Sequence, residues 1–132
     1  MANDYADNTT LRSPLGRVRG LGSAKGGTHH WWMQRVTSAA LLPLTLWFAL
    51  SAALLAGASY EETVAWIAHP FNAVLLLATL AISFQHTASG LQNILEDYVN
   101  QEWLKMGAIL AQKTIFALLW LASTLAVLRI AI

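Results

Sequence analysis

The sequence predicts an all-α integral membrane chain of three transmembrane helices, on three observations. Of its 132 residues 56% are hydrophobic and only 11% are charged, which no ordinary soluble domain matches. Three stretches lack Asp, Glu, Lys and Arg altogether: residues 36–60, 63–95 and 114–128. Each can supply the roughly 20 residues a spanning helix needs, the third by extending to about Gly107 and Ala131 as Lys113 and Arg129 snorkel toward the headgroups. What remains is a polar N-terminal segment and two short connections, too little for a soluble catalytic domain.

The polar segment is assigned to residues 1–28 and the membrane domain to residues 29–132, with helices over about 31–57, 68–95 and 106–131. The segment has no sustained apolar run, so it does not read as a secretory signal peptide. Asp4 and Asp7 argue against a mitochondrial presequence and favour a bacterial inner (cytoplasmic) membrane. Arg12, Arg17, Arg19, Lys25 and Arg35 precede or open the first helix, and Lys105 and Lys113 flank the second connection, whereas the first connection, GASYEETVAW, has no Lys or Arg. By the positive-inside rule the topology is N-in, C-out, with a cytoplasmic N-terminus; Arg129 is the one contrary charge.

In the first helix, Trp31 and Trp32 suit the headgroup level, Arg35 sits where hydrocarbon begins, and Pro43 lies in the interior, where it bends a helix and releases a carbonyl. The second helix starts near AHPFNA, with Pro70 in its first turn and Trp66 at the outer interface. Trp103 anchors the third at the inner interface. Cysteine is absent, which excludes disulfides, thiolate chemistry and iron–sulfur ligation by this chain. The net charge is +1, and the basic cluster before the first helix has no aromatic platforms interleaved, so nucleic acid is not an expected partner. Membrane lipid is.

His86 then stands out. About 16 residues past Pro70, at about 1.5 Å each, it lies roughly 24 Å along the second helix, in the inner half of the membrane. An ionisable side chain at that depth faces the bundle interior and has a partner. The plain reading is a histidine bonded to a carbonyl across a helix contact. The sharper reading is an axial ligand to a haem iron, favoured by Gly90 at i+4 with Ser83 and Ser89 at i−3 and i+3, a shallow face on which a flat macrocycle can lie. Small residues also serve helix packing. A six-coordinate haem needs a second ligand. His69 is at the opposite end of the helix, and His29 and His30 are at headgroup level, too shallow for the iron but placed with Arg35 to meet anionic propionates. The second ligand is therefore expected from another polypeptide.

Asp97 and Tyr98 fall at the inner interface, just beyond the expected helix end. Tyr is common there because its ring is half apolar and its hydroxyl wet. A phenol beside a carboxylate also suits hydrogen bonding to a quinone carbonyl with proton relay from the aqueous side. Glu96 reads as a solvated headgroup-level charge.

The stretch HTASGLQNILEDYV, with His86 eleven residues before Asp97 and twelve before Tyr98, resembles the hallmark of the smaller, D-type hydrophobic membrane-anchor subunit of succinate dehydrogenase, respiratory complex II. HHWWMQRVTSAALLPL resembles that family's approach to the first helix. The resemblance covers about residues 26–132. It implies one half of a heterodimeric haem-binding helical bundle within a four-chain complex: a flavoprotein subunit oxidises succinate, an iron–sulfur subunit carries the electrons, and this chain with a second hydrophobic anchor subunit holds haem b and part of the ubiquinone site. Such a chain is a subunit of an enzyme without the catalytic domain. The resemblance implies His86 as the axial ligand, Tyr98 as the phenol on a quinone carbonyl with Asp97 as its acidic neighbour, Arg35 near the haem propionates, and His29 or His30 as a propionate-side histidine. Asn100 departs from the pattern, standing where relatives often carry a basic residue or histidine. Two other readings compete: the anchor of a quinol:fumarate reductase, and a non-redox helical scaffold in which His86 only ties helices together.

Overall fold

The computed structural model describes residues 26–132 and, before them, Leu15; the polar segment assigned to residues 1–28 lies almost wholly outside the described residues. Four helices follow in order: α1 (Gly26–Leu54), α2 (Tyr60–Ala68), α3 (Pro70–Tyr98) and α4 (Glu102–Ala131). Among the described residues there is no strand. α1, α3 and α4 are long and apolar enough to cross a membrane; the chain is a multi-pass membrane protein.

At one end each spanning helix runs past the window read from the sequence, whereas α1 stops at Leu54 and α3 starts at Pro70, just inside theirs. α1 starts at Gly26, and α3 runs to Tyr98, so Asp97 and Tyr98 lie in its last turn. Hydropathy measures what tolerates lipid, whereas the backbone ladder continues through the headgroup layer, where polar side chains cost nothing. Pro43 sits within α1 without ending it.

The first connection holds a helix that hydropathy does not reveal. Gly57, with φ 87°, takes the left-handed conformation that L side chains rarely adopt, closing the turn after α1. Ser59 then caps α2 by a reciprocal box: Glu62 N–H donates to Ser59 Oγ at 3.2 Å and Ser59 N–H donates to Glu62 Oε2 at 2.8 Å. Trp66 stacks on Trp47 of α1, ring centroids 5.7 Å apart, and its carbonyl accepts from Asn72 Nδ2 at 2.9 Å. Pro70 opens α3 at a position where its missing N–H costs nothing.

α3 is the centre of the bundle. α1 packs on one side of it and α4 on another, and these two do not pack against each other; α2 rests on α3 and α4. The most buried side chains are small or polar, Ala73, Thr37, Ser51 and Gln112, while large apolar residues such as Leu42, Leu54, Leu110 and Leu118 face outward. That inversion of a soluble core is expected in lipid, where apolar side chains gain nothing by hiding and small or polar residues mediate helix contact. Gln112, only 6% exposed, donates from Nε2 to the Ala88 carbonyl at 2.7 Å, fastening α4 to α3. Phe84 and Phe116 meet edge to face at 6.0 Å along the same seam.

Candidate functional site

Because α1 and α3 run antiparallel, the first turns of α1 lie beside the last turns of α3. Between them is an open cleft of about 870 Å³, lined from α1 by Gly27, His30, Trp31, Gln34, Arg35 and Ser38 and from α3 by His86, Gln92, Asn93 and Glu96. The α1 residues recur every three to four positions, one face of a helix. The volume lies within the range of about 300–1,000 Å³ usual for small-molecule and cofactor sites.

His86 is part-buried on α3 and turned toward α1. Its Nδ1 is 3.0 Å from Thr37 Oγ1 and its Nε2 is 3.5 Å from Gln34 Nε2. The Gln34 amide oxygen is buried with no hydrogen-bond partner among the described residues. Arg35 is exposed and lies over the Trp31 ring, 5.3 Å from its centroid, within cation–π range. Glu96 accepts from Gln92 Nε2 at 2.6 Å, one turn earlier.

The structure thus brings together His86, His30 and Arg35 from the residues singled out in the sequence. His29 is exposed and does not line the cleft. Asp97 and Tyr98 are exposed beyond its rim, Tyr98 at 80%; twelve residues separate His86 from Tyr98, roughly 18 Å along α3. Gly90 is half-buried, and a Cβ built there meets Gln34 Nε2 at 3.5 Å, so the glycine faces α1. Ser83 does not line the cleft. Ser89 lines a second cleft of about 610 Å³ between α3 and α4 with Gln85, Lys113 and Phe116, and His30 of α1 borders this cleft as well as the first.

Sequence reasoning missed Thr37 and Gln34 as neighbours of His86 and Glu96 as a lining residue. Helical spacing within α3 places Asn93 one heptad after His86 on the same face, a signal for the lining. Nothing in α1 alone marks Thr37 as meeting a histidine 49 residues away. Gly90 sets a testable packing limit. At 3.5 Å an added methyl makes ordinary contact, so Gly90→Ala is tolerated, whereas Gly90→Leu drives its branch into Gln34 and costs about 1–3 kcal/mol, read as a lowered thermal midpoint of the detergent-solubilised protein.

Comparison with known proteins follows the same lines. Residues 9–128 match the family model described as succinate dehydrogenase/fumarate reductase transmembrane subunit. The chain is 33% identical over 104 residues to the succinate dehydrogenase hydrophobic membrane anchor subunit of Rickettsia bellii (strain RML369-C), covering 78% of this chain and 82% of that one. It is 33% identical over 86 residues to the protein of the same name from Paracoccus denitrificans, with 65% and 67% covered. To the succinate dehydrogenase membrane anchor subunit of Reclinomonas americana it is 30% identical over 88 residues, with 64% and 73% covered. No solved structure matches. A three-span chain whose cleft gathers His30, Arg35 and His86, and whose match to the family model runs through all three spans, belongs to the succinate dehydrogenase/fumarate reductase transmembrane subunit family.

Proposed function

We propose that this chain is the smaller anchor subunit of a succinate:ubiquinone oxidoreductase, set N-in, C-out in a bacterial cytoplasmic membrane, where it shares a haem b with a second anchor subunit and contributes to the ubiquinone-reduction site. The carrying observation is the placement of one imidazole, His86, in the middle of a spanning helix and facing a cleft that also holds Arg35 and His30. The donor set suits a haem: an imidazole for the iron, a guanidinium on the turn of α1 that meets His86, and a second imidazole one to two turns nearer the start of α1, the last two for carboxylates. His69 precedes the far end of α3, and His29 and His30 sit in the first turns of α1; a second axial ligand is therefore expected from another chain, and the cleft is open to admit one.

When bound, the haem supplies a one-electron carrier close to the quinone site. The chain's own residues do the remaining work. His86 would hold the iron through one ring nitrogen, Arg35 and His30 would bind the propionates, Tyr98 would donate its phenolic O–H to a quinone carbonyl, and Asp97 would orient that phenol or hand on a proton from the cytoplasmic side. Electrons enter from an iron–sulfur subunit docked on that side and originate at a flavoprotein subunit that oxidises succinate. Exposure of Tyr98 and Asp97 in the single chain supports a site completed by neighbouring subunits. The named relatives, all succinate dehydrogenase anchors, favour this direction over quinol:fumarate reduction.

The test is purification through a tag on this chain in mild detergent, with the co-purifying chains identified by mass and a reduced-minus-oxidised absorption spectrum recorded. Four chains and a b-type signal are expected. A chain that purifies alone and colourless overturns the proposal in favour of a scaffold, and activity with menaquinol but not ubiquinone moves the assignment to a fumarate reductase.

A further inference from the structure

The proposed function leaves Thr37 without a task, although it is only 8% exposed and meets His86 directly. Its Oγ1 lies 2.8 Å from the Met33 carbonyl and 3.1 Å from the Gln34 carbonyl of its own helix, and 3.0 Å from His86 Nδ1. A hydroxyl has one hydrogen and two lone pairs. Both carbonyls only accept, and the carbonyls three and four residues earlier are the ordinary targets of a helical threonine. With the hydrogen engaged there, what Oγ1 offers His86 is a lone pair, which calls for an N–H on Nδ1. A neutral imidazole carries only one N–H, so Nε2 is then bare. On the other side the Gln34 amide stands 3.5 Å from Nε2, too long to hold that nitrogen in a strong hydrogen bond, so the Nε2 lone pair is left free.

We propose that Thr37 is a positioning residue, holding His86 as the Nδ1–H tautomer so that the Nε2 lone pair is presented to the cleft for the iron. The inference rests on the haem-ligand reading of His86 and adds to it the outer partner that a metal-bound histidine requires, one that fixes ring orientation and raises ligand basicity. An α1 residue thereby sets the chemistry of an α3 ligand, so the α1–α3 contact is part of the site as well as of the fold. Gly90 contributes by admitting the Gln34 amide close to α3.

The experiment uses the assembled complex, tagged on this chain, with Thr37→Val, Thr37→Ala, Thr37→Ser and His86→Ala compared for subunit composition, haem per complex and haem midpoint potential. Loss of an outer-shell partner of a metal ligand typically costs about 10–100-fold in affinity. Thr37→Val and Thr37→Ala are therefore expected to assemble, to release haem about tenfold more readily, and to raise the midpoint potential, because a less basic ligand favours the oxidised iron less. Thr37→Ser restores the hydroxyl and with it native behaviour. Native retention and potential in Thr37→Val, with haem lost in His86→Ala, overturn the role of Thr37 and leave the ligand reading standing. A Thr37→Ser variant as impaired as Thr37→Val, or failure of both hydroxyl-free variants to assemble, assigns Thr37 to packing and also overturns it. Haem retained in His86→Ala removes the ligand reading itself.

Discussion

If His86 ligates a haem as proposed, replacing it with alanine is expected to abolish the b-type absorption of the complex while leaving the chain in the membrane. Alanine is the best helix former, and α3 keeps its packing on α4 through Gln112 and the Phe84–Phe116 pair. What is lost inside the protein is the hydrogen bond to Thr37, typically about 1 kcal/mol, and the longer contact to the Gln34 amide; Thr37 retains both carbonyls of its own turn. The loss to the haem is of another order, since no other histidine of this chain reaches the same depth. His69 precedes α3 by one residue and lies roughly 25 Å from His86 along the helix. The check is the reduced-minus-oxidised spectrum normalised to subunit mass, and an unchanged spectrum refutes His86 as ligand.

Tyr98→Phe separates the two ends of the proposed electron path. The Tyr98 side chain is 80% exposed and makes no hydrogen bond to any described residue, so removing its hydroxyl changes the stability of the chain by no more than about 0.5 kcal/mol. If that hydroxyl donates to a quinone carbonyl as charge develops there, its removal slows quinone reduction by about 100-fold, while succinate oxidation coupled to a soluble dye proceeds at the native rate. The informative quantity is the ratio of the two activities in one preparation. Equal retention of both returns Tyr98 to the aromatic belt. Asp97→Asn keeps the shape and removes the charge, and a smaller loss confined to the quinone reaction is expected if Asp97 acts through Tyr98.

The three spans were legible because the bilayer enforces a one-dimensional rule: about 20 residues without a charge, read off along the chain. Their true ends were not. α4 begins at Glu102, in a turn where Lys105 donates to Glu102 Oε1 at 3.2 Å, since a helix in the headgroup layer accepts charges that a hydropathy window rejects. α2 was legible in principle from Ser59 and Glu62, the two ends of a capping box, but an acidic loop and a short amphipathic helix look alike to a scan for apolar runs.

The depth of His86, the clustering of basic and aromatic residues around Arg35 and the spacing to Asp97 and Tyr98 all follow from position along a helix, and the order of residues along the chain is enough for them. Which face of α3 meets which neighbour is a different kind of fact. Gly90 and Ser89 are adjacent in sequence, yet one faces Gln34 on α1 and the other the cleft toward α4. His30 lines the cleft and His29 does not, because about 100° of helix rotation separates consecutive residues. Thr37 meets His86 only because α1 and α3 cross where they do. Rotation about the helix axis in a membrane is set by the contact surfaces of neighbouring helices, here small and polar side chains whose partners lie 24 to 52 residues away, and only packing all the helices together decides it.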